Sequence, residues 1–145
     1  MVIRKGTKED IEAIYNIELE SFSVPWSLES ITKELANEMA YYVVAEEDGQ
    51  VLGYAGLWDV VGEGQITNIA VRPSGRRKGI GKKLVEGLMA YGKEKGLEVL
   101  ILEVRQSNEA AIKLYTGAGF KDIGKRKNYY TKPTEDAILM ALTLS

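Results

Sequence analysis

The segment from Arg72 to Gly81 combines four cations with three glycines in ten residues. The pattern of apolar residues places it between a predicted strand and a predicted helix. Free N–H groups at a helix N-terminus bind anions with the help of the helix dipole, and glycine lets the main chain approach phosphate oxygens closely. The segment therefore predicts a phosphate-binding loop, and the alternative on composition alone is a solvated basic turn.

The spacing within this loop excludes two familiar nucleotide motifs. A Walker A loop has four residues between its glycines and ends in Gly-Lys-Ser/Thr. Here five residues separate Gly75 from Gly81, and Lys82 is followed by Lys83, so the hydroxyl that would hold magnesium is missing. The dinucleotide pattern Gly-x-Gly-x-x-Gly also fails, because position 84 is leucine. We therefore expect neither ATP nor NAD to bind this loop.

Acid–base chemistry must come from a short set of side chains, because the chain contains no histidine and no cysteine. That excludes disulfides, thiolate nucleophiles, Ser-His-Asp triads and zinc sites built from Cys or His, and we expect no metal. The remaining proton carriers are Asp, Glu, Tyr, Lys and the chain terminus.

Glu103 and Tyr115 are the two candidates of this kind. Glu103 ends the apolar run that begins at Val99, where partial burial would raise its pKa and make it a better base. The alternative is a strand-end glutamate that faces water. Tyr115 lies in the apolar stripe of the following predicted helix, so core packing is its default interpretation and proton donation the alternative.

Length and composition limit the classes of protein that remain. The 145 residues predict one domain, 1–145, and 45% hydrophobic with 28% charged residues is typical of a globular protein. The 19 basic and 21 acidic side chains leave a net charge of −2, so no global basic field favours nucleic acid. No apolar run is long enough to cross a bilayer, and the charged N-terminus does not resemble a signal peptide. We expect a cytoplasmic protein with no nucleic-acid or membrane partner.

The helices that must position these residues are predicted from apolar residues that recur about every 3.6 positions. Thr7 and Asp10 form a predicted capping box for a first helix, and Ser27 caps a second. Two further helices are predicted, from Gly79 to Lys95 and after Ser107 or Asn108. The expected buried face of the first helix is the stripe Ile11, Ile14, Tyr15, Leu19 and Phe22.

The strands follow from β-forming residues between turn signals. Asp48-Gly49 predicts a hairpin, Gly62 with Gly64 a second turn, and Val99–Val104 a strand buried on both faces. The predicted strands are Val2–Lys5, Tyr41–Glu46, Val51–Val60, Gln65–Val71, Val99–Val104, Phe120–Tyr130 and Ala137–Leu144. The order β-α-α-β-β-β-α-β-α-β-β predicts an α/β (mixed α+β) fold: one mixed sheet of about seven strands flanked by about four helices.

The motif Arg76-x-x-Gly79-x-Gly81, preceded by Asn68-Ile-Ala-Val71, resembles the acyl-CoA signature of the GNAT superfamily of N-acetyltransferases. Further blocks resemble its RimI-type ribosomal-protein-alanine acetyltransferases. The blocks are the Pro-Trp-Ser of residues 22–27, Leu102-Glu-Val-Arg-x-Ser-Asn108, Leu114-Tyr-x-x-x-Gly-Phe120, Asn128-Tyr-Tyr130 and Glu135-Asp-Ala137. The resemblance covers essentially the whole chain, because the predicted order of elements is also the order in that superfamily.

The resemblance implies acetyl-CoA as co-substrate and a set of residues that bind it. In relatives the loop amides bind the pyrophosphate, a splayed strand pairs with the pantetheine arm, and an asparagine hydrogen-bonds that arm. The matching residues here are Ile69, Ala70, Val71, Arg76, Arg77, Lys78, Gly79, Ile80, Gly81, Lys82 and Asn108.

The resemblance also implies the catalytic and acceptor residues. Glu103 matches the general base, acting through a water, and Tyr115 matches the general acid that protonates the departing thiolate. Trp26, Tyr129 and Tyr130 match segments that line the cleft for the first residues of the acceptor peptide. The implied reaction is direct transfer of acetyl to the N-terminal alanine of a small-subunit ribosomal protein, without an acyl-enzyme.

Two other functions stay open at this point. One is a broader acetyltransferase that acts on other N-termini, lysines or small amines. The other is a non-catalytic acyl-CoA-sensing module, which would need the phosphate loop but would have no use for Glu103 and Tyr115.

Overall fold

The computed structural model describes residues 1–76 and 78–144. It contains seven strands and four α-helices in the predicted order. The strands are β1 (Val2–Lys5), β2 (Ala40–Glu47), β3 (Gln50–Val60), β4 (Glu63–Val71), β5 (Val99–Arg105), β6 (Lys121–Tyr130) and β7 (Glu135–Thr143). The helices are α1 (Ile11–Ser21), α2 (Leu28–Ala36), α3 (Ile80–Lys95) and α4 (Glu109–Gly117).

All seven strands form one mixed sheet in the order β1-β2-β3-β4-β5-β7-β6. Every neighbouring pair is antiparallel except β4 and β5, which are parallel and connected through α3. The predicted mixed α/β fold with about seven strands and four helices is confirmed.

β4 and β5 are paired over only part of their length. Their register covers three residue pairs, from Glu63↔Val99 to Gln65↔Ile101. Beyond Gln65, β4 stays paired with β3 as far as Val71, while β5 stays paired with β7 as far as Arg105. The middle of the sheet therefore opens at the carboxyl ends of its two parallel strands, where ligands of open α/β sheets bind.

Two apolar cores cover the two faces of the sheet. On one face, α3 and α4 contribute Ile80, Leu84, Leu88 and Tyr115 to a large cluster. On the other face, α1 and α2 contribute Ile14, Ile17 and Ile31, packed against alternate residues of β2 and β3. The sheet is therefore the middle layer of three, and the opening between β4 and β5 connects the two sides.

Local signals predicted most element boundaries within two residues. Thr7 and Asp10 make the predicted capping box, Ser27 caps α2, and Gly96 ends α3 in the left-handed conformation at φ +75°. Asp48 and Gly49 both have positive φ, which is typical of a two-residue type I′ hairpin.

Three predictions about burial and turns are wrong. Leu19 in α1 and Phe22 directly after the helix are exposed, and Ile17 and Glu18 lie on the buried face instead. β5 alternates between buried and partly exposed residues instead of being buried on both faces. Gly64 lies inside β4 rather than in the second turn, which consists of Val61 and Gly62.

Gly56 in β3 should not tolerate a side chain. A Cβ at this position would lie 2.2 Å from Cε1 of Tyr42, a buried ring whose hydroxyl donates to Glu34. We expect Gly56→Ala to lower the free energy of unfolding by about 1–3 kcal/mol, the usual cost of overpacking. Urea titration measures the effect.

Gly117 at the end of α4 is the matched control, because a Cβ there meets nothing within 4 Å. Gly117→Ala should raise the free energy of unfolding by about 0.4–1 kcal/mol, since alanine restricts the unfolded chain. Equal effects from the two substitutions would contradict the packing described around Tyr42.

Candidate active site

Glu103 lies near the end of β5, where the strand has left β4. Its neighbours Leu102 and Val104 point into the core under α3 and α4, so alternation places Glu103 on the other face of the sheet. Its side chain is 28% exposed, yet Oε2 is buried and accepts no hydrogen bond from the described residues. The nearest cation is Arg126, whose Nε lies 3.8 Å from that oxygen. The carboxylate thus has a buried acceptor oxygen that the described residues leave without a donor.

Tyr129 and Tyr130 lie beside this carboxylate. The adjacent carboxylate of Glu103 raises the pKa of Tyr129, and partial burial adds to the effect. Burial, followed by the charge of Glu103, raises the pKa of Tyr130 to about 12. The two rings meet edge to face with their centroids 5.0 Å apart. Both phenols are therefore protonated near neutral pH, and they form an amphipathic wall next to the carboxylate.

A bulge in β6 and the β6–β7 turn hold these tyrosines in place. The register slips between Arg126 and Tyr130, and the N–H of Asn128 donates to Oδ1 of Asp136 at 2.9 Å. Arg105 of β5 donates to the carbonyls of Thr131 and Pro133 at 2.8 and 3.0 Å, and its guanidinium lies 4.5 Å from the ring centroid of Tyr130. The motif blocks around residues 105, 128 and 136 are therefore one supporting structure.

Tyr115 approaches the same region from the opposite face. It lies on α4, is 8% exposed and packs against Phe120 with ring centroids 5.6 Å apart. Burial raises its pKa, and the nearby Tyr130 hydroxyl raises it further. Tyr115 is thus a neutral proton donor next to the tyrosine pair that contacts Glu103.

The predicted phosphate loop leads directly into α3. Gly79 has φ +74° and is the N-cap of α3, without a side chain that caps the helix. The N–H of Lys83 donates to the carbonyl of Gly79 at 3.2 Å and so closes the first turn of α3. The amides of Ile80, Gly81 and Lys82 are therefore the helix-terminal donors available to an anion. At Gly81 a Cβ would lie 3.2 Å from Leu114 of α4, so the glycine also permits close helix packing.

The backbone of β4 faces the opening at alternate residues. The N–H of Arg72 donates to the carbonyl of Leu52 on β3 at 2.7 Å. Because donors alternate along a strand, the N–H of Ala70 also points towards β3, and those of Ile69 and Val71 point towards the opening. The carbonyl of Val71 accepts a hydrogen bond from Nε of Arg76 at 3.3 Å.

Two other predicted residues have identifiable contacts in the structure, and a third is exposed. Lys78 lies 3.8 Å from Glu47, a loose surface ion pair. Asn108 is the N-cap of α4, and its Oδ1 accepts from the N–H of Ala111 at 3.1 Å. Lys82 is exposed on the first turn of α3. Arg77, also predicted to bind the co-substrate, lies outside the described residues.

The loop between α1 and α2, residues 22–27, carries Trp26 and reaches towards the β6–β7 turn. Ser23 Oγ donates to the carbonyl of Lys132 at 3.3 Å, and Trp26 is partly buried against the core under α1. The N–H of Trp26 donates to Oε1 of Glu18 at 2.8 Å. We call these residues the α1–α2 loop. Glu18 was missed from the sequence, although a charged residue beside Ile17 and four positions after Ile14 is a signal of a buried acid.

Two further kinds of feature are absent from the part of the chain that the structure describes. None of the helices in this part of the chain is long and apolar enough to span a membrane. Residues 1–76 and 78–144 also contain no group of three or more acidic side chains arranged to hold a metal ion.

Comparisons with known proteins place the whole chain. The model of the acetyltransferase (GNAT) family matches residues 11–120. A Bacillus subtilis (strain 168) protein, provisionally named a ribosomal protein bS18-alanine N-acetyltransferase, is 43% identical over 99% of this chain and 95% of its own. A Haemophilus influenzae protein of the same name is 39% identical over 93% of each chain. The crystal structure of the ribosomal-protein-S18-alanine N-acetyltransferase from Escherichia coli has a TM-score of 0.92 at 36% identity, covering 99% of this chain and 94% of that one.

The chain belongs to the acetyltransferase (GNAT) family. It is an acetyl-CoA-dependent N-acetyltransferase, and the resemblance to the ribosomal-protein-alanine group is confirmed by these relatives. The opening between β4 and β5 and the free amides at the start of α3 fit such a co-substrate, which carries a long polar arm and a diphosphate.

Proposed function

We propose that the protein transfers acetyl from acetyl-CoA to the N-terminal alanine of a small-subunit ribosomal protein, bS18 by analogy with the names of its relatives. The observation that carries the proposal is the Glu103 carboxylate, whose side chain is 28% exposed beside Tyr129 and Tyr130. Because the side chain is partly exposed, an ammonium group or a water can approach this carboxylate, so the arrangement suits an amine acceptor.

The acceptor's protonation state favours a chain N-terminus over lysine. An α-amine with a pKa of 7.7–8.0 is roughly 10–15% neutral at pH 7, whereas a lysine near 10.4 is neutral about once in 2,500 molecules. Only the neutral amine attacks a thioester. For an N-terminus, Glu103 therefore accepts only one proton, directly or through a water, as the new bond forms.

The other residues serve the thioester. The N–H of Val71, which points into the opening, donates to the carbonyl oxygen as negative charge develops on it. Tyr115 donates its proton to the departing sulfur. The amides of residues 80–82 bind the diphosphate, and the cations Arg76, Arg77, Lys78 and Lys82 add charge around it. Ile69 and Asn108 hold the arm between these two ends, whereas Ala70, also predicted to bind it, turns its backbone towards β3 and its side chain into the core under α1.

The acceptor cleft lies between the α1–α2 loop and the tyrosine pair. Trp26 comes from one side and Tyr129 with Tyr130 from the other, and Ser23 bridges the two segments through its hydrogen bond to Lys132. A small first side chain such as that of alanine fits between aromatic walls of this kind better than a large one.

A panel of peptides tests the acceptor. The peptides share one sequence and begin with Ala, Ser or Met, and a fourth has a blocked N-terminus and one internal lysine. We expect the Ala peptide to give a kcat/KM at least about tenfold above the Met peptide, a typical discrimination for a few methylenes. The release of coenzyme A thiol measures the rate. Preference for the internal lysine would contradict the ribosomal acceptor and leave the family assignment intact.

A further inference from the structure

Glu18 is a buried carboxylate that the proposed reaction does not use. It lies on α1, is 1% exposed and is packed in the core between α1 and the sheet. The other buried acid of the described chain, Asp10, is paired with Arg4 at 2.9 Å. Glu18 forms no ion pair with any residue of the described ranges, so neutral donors alone compensate its desolvation.

Three donors from three different elements surround this carboxylate. Oε1 accepts from the N–H of Trp26 at 2.8 Å. Oε2 accepts from Nδ2 of Asn68 on β4 at 3.0 Å and from the hydroxyl of Tyr54 on β3. Burial, followed by the charge of Glu18, raises the pKa of Tyr54, so this phenol stays a donor at any working pH.

The position of the Asn68 contact in β4 links the α1–α2 loop to the co-substrate strand. The register between β3 and β4 shifts from Gly56↔Asn68 to Leu57↔Ile66, so Thr67 is an extra residue directly before Asn68. Directly after it come Ile69 and Val71, whose N–H groups point towards the opening, with Ala70 between them facing β3. One side chain thus fixes Trp26 of the loop relative to the strand that is proposed to hold the thioester.

Stability alone does not explain this arrangement. A buried charge adds little stability compared with an apolar side chain of the same volume. A role in fixing one geometry explains better why the charge is there. Nor can Glu18 act as a base, because both of its oxygens accept from the protein and the side chain has almost no exposed surface.

We propose that Glu18 is a positioning residue: it holds the α1–α2 loop at a fixed distance from β4 and thereby sets the preference for a small first residue in the acceptor. This inference rests on the proposed function, which places Trp26 beside the acceptor peptide. Loss of the Glu18 anchor lets the loop move away from β4, which widens the cleft without altering the phosphate loop or Glu103.

Glu18→Gln tests the inference, with Glu34→Gln as the matched control. Glu34 on α2 is a partly buried carboxylate that, like Glu18, accepts from a tyrosine hydroxyl, that of Tyr42 at 2.6 Å, and it also accepts from the indole N–H of Trp58 at 2.8 Å. Its donors lie on β2 and β3, and none belongs to the α1–α2 loop. Both substitutions replace an ionic acceptor with an amide of the same shape, and thermal melting shows that each variant is folded.

The measurement is the ratio of kcat/KM for a peptide that begins with Ala to that for the same peptide beginning with Leu. We expect Glu18→Gln to lower this ratio at least about fivefold, chiefly by raising the KM of the Ala peptide. A displaced cleft wall loses contacts that bind the substrate and the transition state equally, and such a loss raises KM without changing kcat. Affinity for coenzyme A by calorimetry should change less than twofold. Glu34→Gln should leave the ratio within twofold of wild type.

The outcomes separate the two proposals. An active wild type whose Ala-to-Leu ratio changes no more in Glu18→Gln than in Glu34→Gln overturns the role of Glu18 alone. A wild type that acetylates none of the peptides overturns the proposed function and this inference with it. If Glu18→Gln does not fold, Tyr54→Phe removes one donor and leaves the carboxylate, and it should lower the same ratio; an unchanged ratio then overturns the inference.

Discussion

Replacing Glu103 with glutamine should lower kcat by roughly 10²–10⁴-fold, the range expected for the loss of a general base. Glutamine has the same shape but cannot take a proton from the acceptor amine. The substitution should cost little stability, because Oε2 of Glu103 accepts no hydrogen bond from the described residues and Arg126 is largely exposed. Steady-state release of thiol with saturating acetyl-CoA and an Ala peptide measures the effect.

Glu98→Gln is the matched control for this substitution. Glu98 is exposed directly before β5, so the control removes the same charge near the opposite end of the same strand. We expect its kcat to stay within about twofold of wild type, and thermal melting should confirm that both variants are folded. A Glu103→Gln enzyme as active as the control would remove Glu103 from the chemistry.

The pH dependence shows which proton Glu103 accepts. The neutral fraction of an α-amine rises from roughly 10–15% at pH 7 to roughly 90% at pH 9. If Glu103 deprotonates the ammonium before attack, the fold loss in rate caused by Glu103→Gln should shrink up to about tenfold between pH 7 and pH 9. If it accepts the proton during attack, the deficit should stay constant. The pKa of an α-amine favours the second role, because an N-terminal amine needs little help to lose its first proton.

The architecture could be predicted from the sequence because its signals are local. Asp48-Gly49, Ser27 and Gly96 each determine a turn or a cap through their own backbone preferences, and the apolar period of each segment determines the element between them. The order of the elements then limits the topology to a few arrangements. The resemblance to a known family added predicted roles for the site residues, which spacing alone left open.

Contacts between distant segments could not be predicted in this way. Tyr129 meets Glu103 because β6 pairs with β7 and β7 pairs with β5, a relation that no local pattern states. Glu18 was missed for the same reason, since its donors Tyr54 and Asn68 are 36 and 50 residues away. The prediction that Leu19 lies on the buried face of the first helix was wrong. Apolar spacing predicts a helix face, but it does not say which residues of that face the sheet covers.

Tyr115→Phe should reduce kcat by roughly 10²-fold, the lower end of the range for a general acid, while affinity for coenzyme A stays within about twofold. An ordinary tyrosine has a pKa near 10 and a thiol one near 8.5, so donation is mildly uphill in water. Burial raises the pKa of Tyr115, and the same desolvated space raises the pKa of the thiol that departs into it. The small pKa difference between the tyrosine and the thiol is therefore preserved, and the proton can move to sulfur as the carbon–sulfur bond breaks.

The comparison of kcat with KM separates this role from packing. The hydroxyl of Tyr115 makes no hydrogen bond to the described residues, so phenylalanine keeps its contact with Phe120 and should leave the melting temperature nearly unchanged. A loss in kcat with an unchanged KM for acetyl-CoA would show that the hydroxyl acts only in the transition state. Tyr91→Phe on α3, whose ring stacks on Tyr41 at 3.6 Å, is the control and should keep full activity. Wild-type turnover in Tyr115→Phe would mean that water protonates the sulfur and that Tyr115 serves only the core under α4.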